Sequence, residues 1–334
     1  MKICYQQKRF SSSSLSVIRQ ANAIIEDYES QGYDLTLRQL YYRFVSKGLI
    51  PNKDTEYKKL GSIINDARLA GLIDWNRITD RTRNLRQNSH WDSPQSIVET
   101  CSRQFQFDKW KDQKEYVEVW VEKDALVGIL EQACEPLDVP YFSCRGYTSQ
   151  SEMWGASQRL LEKVRAGKKV TIIHLGDHDP SGVDMSRDIE DRIKGFVEHH
   201  LLQDFVSVDR PKRGIKDGET ASVWQKRTGY VSVDQLFTLN RIALTMDQIR
   251  EYDPPPNPAK LTDSRSNKYV NEYGDESWEL DALEPTVLTG LIRDAVFELR
   301  DDEIWDSSVR VEDNAKTQLR GVAKNWEKVV KAIK

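Results

Sequence analysis

Three carboxylates stand where the chain could hold a divalent cation. Glu122 directly follows the strand-like run VEVWV (117–121), and Asp177 and Asp179 lie in GDHDPSG (176–182), directly after VTIIHL (170–175). In an open α/β sheet, ligands gather in the crevice beyond the carboxyl ends of the strands, so acids at two strand ends would converge there. Residues two apart in extended chain point the same way. Paired oxygens with a third carboxylate opposite suit an octahedral Mg²⁺ that keeps several waters, with Mn²⁺ as the alternative. Each acid also has a plainer reading: Asp179 before Pro180 is a good N-cap for a helix through Ile189, and Glu122 can be a surface residue after a strand. Asp124 and Asp184 are nearby candidates for a second ion. His174 and His178 read as a strand residue and a turn residue rather than ligands.

The elements that must position these acids are legible as alternating strands and helices. VEVWV is followed by a helical stretch ALVGILEQACEPL, then PYFSC (140–144), a turn at Arg145 and Gly146, a helix through Met153 to Arg165, and VTIIHL. That alternation predicts βαβ units, a largely parallel sheet, and right-handed crossovers that put the strand C-termini on one edge. Before it, three helices are signalled: 12–30 with capping serines, one capped by Thr36 and stopped by Gly48, and one from Asp54 to Ala70. The third leaves Lys58, Lys59 and Arg68 for the outside. LIDWNRITDRTR then alternates like a short wing ending in Arg81 and Arg83. Three helices and a basic wing describe a winged helix-turn-helix, with a generic three-helix bundle equally compatible. The organisation expected is 12–86 as a DNA-binding head, 87–115 as a connector with a helix near Gln95 to Phe105, and 116–334 as the metal-binding body. Past residue 250, PPPNP and the polar run through Asn271 read as loop, and WELDALEPTVLTGLIRDAVFELR reads as helix.

Composition narrows the classes. The 334 residues carry a net charge of −4. The first 90 hold 15 Lys and Arg against 9 Asp and Glu, a balance of +6, so the remainder carries −10. A basic head on an acidic body suits phosphate docking beside cation binding, although ordinary solvated surface would look the same. No run approaches the roughly 18 apolar residues of a membrane span and the N-terminus has no signal-like apolar core, so a cytoplasmic location without membrane is expected. The four cysteines form no CxxC and read as reduced thiols.

The set VEVWVEKDAL, SCRGYTSQ and HLGDHDPSG resembles a Toprim domain, with its strand-end Glu and later DxD, here Glu122 and Asp177/Asp179. DPSGVDM is similar to the DxDPxG form of the topoisomerase VI A subunit and its relative, the meiotic double-strand-break transesterase, and WELDAL (278–283) is similar to a further stretch of that family. The family carries a winged helix before Toprim with an R-x-x-Y-Y motif, matched here by Arg38, Tyr41 and Tyr42 in TLRQLYYRF; the likeness covers roughly residues 15 to 300. It implies that Tyr42 attacks duplex DNA, that Arg38 clamps the phosphate, that Glu122, Asp177 and Asp179 hold Mg²⁺, and that the protein is a homodimer in which Tyr42 of one subunit serves the acids of the other. Arg38 and Tyr42, at i and i+4, share a helix face, as a phosphate clamp beside a phenol requires. A phenol of pKa near 10 is a weak nucleophile and needs that cation. The chain has no ATPase region, so strand passage would need a separate ATPase subunit. A hydrolytic Toprim nuclease and a non-catalytic DNA-binding module are the alternatives.

Overall fold

A computed structural model of the chain describes residues 2–78, 88–208, 232–259 and 265–333, with backbone alone for 202–208. The expected head helices form as α1 (Ser12–Ser30), α2 (Leu37–Ser46) and α3 (Asp54–Leu69). Ser11 caps α1 and Thr36 caps α2 in a reciprocal box with Gln39, so both starts follow from side chains that satisfy the first orphan N–H groups. Ile18, Ile24, Ile25, Leu40, Phe44 and Ile64 close a core among the three helices. Beyond Gly71 the described chain reaches Ile78, which makes one parallel bridge to Leu35. Arg81 and Arg83, and with them the tip of the expected wing, lie outside the described residues.

The connector is anchored. Its helix α4 (Pro94–Gln104), capped by Ser93, packs along the C-terminal helix Asp302–Lys324; Gln95 donates to the Ala323 carbonyl at 3.0 Å. Beyond it, Lys109 Nζ and the Phe107 N–H both bond Glu312, at 2.6 and 2.9 Å.

The body is a mixed α/β unit around a four-stranded, all-parallel sheet in the order β2-β1-β3-β4, with β1 Glu115–Val121, β2 Tyr141–Ser143, β3 Lys169–Leu175 and β4 Phe237–Ala243. The pleat sends Val117, Val119 and Val121 into one apolar layer with Ile129, Leu130, Leu288 and Ile292, and Tyr116 and Trp120 into the other with Leu160, Ile189 and Ile193. Helices α5 (Val127–Cys134) and Pro285–Phe297 cover the first face; α6 (Gln150–Arg165) and α7 (Pro180–Val208) cover the second. Coverage on both sides explains why β1 and β3 are buried along nearly their whole length. The β3–β4 register makes β4 the fourth strand, which the sequence reading did not assign.

Two segments differ from expectation. Residues 278–284 are not helical: they form an extended strap with one 3₁₀ turn at Leu280–Ala282, and the helix begins at Pro285, whose ring suits only a first turn. The polar run through Asn271 contains a helix, Ser266–Tyr273, beside a two-residue antiparallel pairing of Asn257–Pro258 with Glu276–Ser277. Among the described residues no helix is long and apolar enough to cross a membrane.

Candidate active site

The acid loop is built by close backbone approach. Glu122 leaves the end of β1, its N–H bonded to the Leu175 carbonyl at 2.9 Å, and its Oε2 accepts the Asp177 N–H at 2.9 Å. The loop then turns directly into α7, where Asp179 Oδ1 accepts the Gly182 N–H at 2.6 Å as a helix cap. A Cβ at Gly182 would overlap the Asp177 carbonyl, so only glycine allows this approach, and one at Gly176 would crowd Glu122 Oε2 at 3.1 Å.

Arg241, on the unassigned strand β4, holds the loop from beneath. Its guanidinium donates to the carbonyls of Asp177 (2.6 Å), Gly182 (2.9 Å) and Gly176 (3.1 Å) and to Ser186 Oγ (2.7 Å). Burial pushes its pKa down, while Glu122, Asp177 and Asp179 oppose that. His174, beside it, bonds Ser186 at 2.9 Å and is held neutral, its pKa lowered to about 3 by burial and then by Arg241. His178 is also neutral, lowered by burial to about 4, its Nδ1 2.7 Å from the Tyr269 hydroxyl. Neither histidine faces the three acids as a ligand.

The strap 278–284 joins the head to this loop. Its Trp278 pairs in backbone with His178, at 2.8 and 2.9 Å. Leu280 N–H donates to Asp177 Oδ1 at 2.7 Å. Lys123 Nζ sits among Asp177 Oδ2 (2.9 Å), Asp281 Oδ1 (3.2 Å) and Glu279 Oε2. From the head, Arg38 reaches Glu279 at 2.8 Å and Asp281 at 3.2 Å, and Arg43 pairs with Glu284. Lys123, Arg241, Glu279 and Asp281 were not assigned from the sequence. WELDAL was singled out only for a resemblance, and a Lys after a strand-end Glu carries no signal of its own.

Between strap and head lies a cavity of 310 Å³ lined by Arg38, Tyr41 and Tyr42 from α2 and by Asp179, Trp278 and Glu279 from the body. Arg38 and Tyr42 share a face as expected, the guanidinium 5.8 Å from the ring centre. Tyr42 is only 5 % exposed. Burial, then Glu279 and Asp281, push its pKa up to about 12, against the pull of Arg38 and Lys123. Tyr41 is a packing residue: its hydroxyl donates to Asn52 Oδ1 at 2.9 Å and accepts from the Lys53 N–H at 2.8 Å. Tyr42 and Asp179 thus line one cavity within one chain, whereas the resemblance implies a meeting between subunits.

Glu122, Asp177 and Asp179 are the donor set for the implied Mg²⁺. Burial first, and then neighbouring acids, raise the pKa of Glu122 and raise that of Asp177 to about 8, so the loop is short of positive charge in spite of Lys123. Hard carboxylate oxygens in that condition fit a cation that keeps its waters. Among the described residues no three His, Cys, Asp or Glu side chains form a ready cage. Both Asp177 oxygens are engaged, so Glu122 and Asp179 are the acids that would hold the ion. The candidates for a second ion are held by arginines: Asp124 by Arg145 at 3.1 Å, Asp184 by Arg187 at 2.7 Å and Arg265 at 2.9 Å.

Of the expected DNA contacts, Lys58 and Lys59 are exposed on α3. Arg68 is half-buried and also has an internal role: its Nη2 donates to the Trp75 carbonyl at 2.8 Å and its guanidinium stacks 4.6 Å from the Trp75 ring, which pins the segment after α3. No protein-family model and no curated protein matches the chain.

Proposed function

We propose that the protein is a Mg²⁺-dependent DNA-cleaving enzyme resembling the topoisomerase VI A subunit, a winged-helix head delivering duplex DNA to a Toprim-type body. The observation that carries this reading is the single cavity shared by Arg38, Tyr42 and Asp179. In the reaction, Tyr42 Oη bonds to a backbone phosphorus, the bond from phosphorus to the 3′ oxygen breaks, and the proton lost by the phenol is taken up by that oxygen. Arg38 holds the phosphate only after exchanging Glu279 and Asp281 for it, so substrate must part the head from the strap. A bound Mg²⁺ would supply positive charge to the phosphate and the leaving oxygen. Two such chains would cut both strands of a duplex, and strand passage would require a separate ATPase subunit.

One observation favours a hydrolytic Toprim nuclease as the second reading. Tyr42 is buried with its pKa raised to about 12, which makes the phenol a poorer nucleophile than water activated at the acid loop. The test common to both is cleavage of plasmid DNA with and without Mg²⁺. Glu122→Gln should lose cleavage and retain duplex binding, because the acid lies away from the head. Loss of binding and thermal stability together would make the carboxylates structural and leave a DNA-binding module.

A further inference from the structure

We infer that Lys123 is a second phosphate-binding cation, which together with Arg38 grips the backbone phosphate that Tyr42 attacks, and that Glu279 occupies the place of that phosphate in the free protein. This deepens the DNA-cleaving reading and rests on it.

Two cations converge here from different parts of the chain. Arg38 belongs to α2 in the head and Lys123 follows β1 in the body, yet both donate to the same atom, Glu279 Oε2, Arg38 Nη2 from 2.8 Å. The two oxygens of Asp281 are divided between them in the same way, Oδ1 3.2 Å from Lys123 Nζ and Oδ2 3.2 Å from Arg38 Nε. Cations this close repel one another unless an anion bridges them. As a counter-ion for Asp177 alone, Lys123 would need neither strap acid nor the oxygen that Arg38 uses.

Exposure distinguishes the bridging acids. The Asp281 side chain is wholly buried, whereas that of Glu279 is 22 % exposed and lines the cavity with Tyr42. Asp281 therefore sets the spacing of the cations and Glu279 is the exchangeable partner. When head and strap part, Arg38 releases both carboxylates, while Lys123 releases Glu279 and keeps Asp177 and Asp281.

The chemistry of the incoming anion follows from what it replaces. A backbone phosphodiester carries one negative charge and two free oxygens, so it takes the place of one carboxylate without a change in net charge, one oxygen on the guanidinium and one on the ammonium. A phosphomonoester would bring close to two charges beside Asp177 and Asp179, and is disfavoured. The place is also the right one for attack. Glu279 and Asp281 raise the pKa of Tyr42 while Arg38 and Lys123 lower it, so all four act on its hydroxyl, and a phosphate among them borders the attacking oxygen.

The test uses the full chain, without Mg²⁺, and a duplex carrying one neutral methylphosphonate moved a single position at a time across the cut. In the wild type the neutral group should weaken binding roughly tenfold at one position, where two cations lose their anion. Lys123→Gln should reduce that penalty to about threefold at that position and leave the others unchanged, which the loss of a mere counter-ion to Asp177 would not do. Glu279→Gln keeps the shape of the strap and leaves Asp281 between the cations. With the competing charge gone, it should bind the unmodified duplex several-fold more tightly than the wild type. Equal penalties in Lys123→Gln and wild type would overturn the inference and leave the cleavage reading standing. Glu279→Gln binding no more tightly than the wild type would overturn it as well, and that variant decides the matter should Lys123→Gln fail to fold. Wild-type protein that neither binds the unmodified duplex nor cuts it when Mg²⁺ is added would overturn both.

Discussion

Replacing Arg241 should unmake the acid loop, and the structure sets the size of the effect. Its guanidinium reaches the carbonyls of Gly176, Asp177 and Gly182 and the Ser186 hydroxyl at 2.6 to 3.1 Å, all in a buried site. A hydrogen bond from a charged donor is worth about 1.5–3 kcal/mol, and a buried carbonyl left without its donor costs about 1–3 kcal/mol. These terms overlap, so Arg241→Met should destabilise the protein by about 3–5 kcal/mol. Arg241→Lys keeps the charge but loses the planar fork, and should cost roughly half as much. Urea unfolding of the full chain measures the stability, and Mg²⁺ titration of DNA cleavage measures the loop. Arg241→Lys should need several-fold more Mg²⁺ for half-maximal cleavage, because Asp179 and Gly182 are no longer held in register. Wild-type stability and an unchanged Mg²⁺ requirement in Arg241→Met would refute this account of the loop.

Lys58→Ala with Lys59→Ala should weaken duplex binding uniformly across sequences and flatten the dependence of log affinity on log salt by about 2, read by fluorescence anisotropy between roughly 50 and 200 mM salt; an unchanged slope would put the docking surface elsewhere. Glu312→Gln should cost about 3 kcal/mol near neutral pH, since it leaves Lys109 buried beside Trp305 without its carboxylate. Burial opposes the ionisation of Glu312, but Lys109, Lys316 and the Phe107 N–H outweigh it and lower the pKa from 4.5 to about 2. The stabilisation is therefore complete above pH 4.5 and lost as pH falls toward 2, so the stability gap between variant and wild type should close over that window. A gap that does not change with pH in that range would contradict the assignment.

Much of the scaffold was legible in the chain because local chemistry determines it. Serine and threonine caps located α1 and α2 to within a residue, and the switch from helical to strand patterning located β1, β2 and β3. The strand-end positions of Glu122, Asp177 and Asp179 put the acids on one edge. What was not legible depends on tertiary partners. Arg241 lies in FTLNRIA, a short strand whose apolar signal is interrupted by Thr238, Asn240 and Arg241. Arg68 has the spacing of an exposed helix residue, yet Trp75, seven positions later, folds back over it. WELDAL is rich in apolar and helix-favouring residues, but Leu280 N–H is committed to Asp177 and Pro285 can only start a helix, so the segment before it stays extended. The ion network of Lys123 with Asp177 also takes in Glu279 and Asp281, more than 150 positions from Lys123, which no local pattern encodes.

The most direct measurement of the central claim is whether Tyr42 becomes joined to DNA. A phenol that attacks phosphorus conserves the phosphodiester in a tyrosyl link, so quenching a Mg²⁺-containing reaction with denaturant should leave protein on the DNA 5′ end. Tyr42→Phe removes only the hydroxyl. Its stacking on Tyr41 at 5.3 Å should persist, so folding and DNA binding should match the wild type while cleavage and adduct both disappear. Cleavage by Tyr42→Phe at the wild-type rate, with no adduct in either protein, would contradict the transesterase and leave water as the nucleophile.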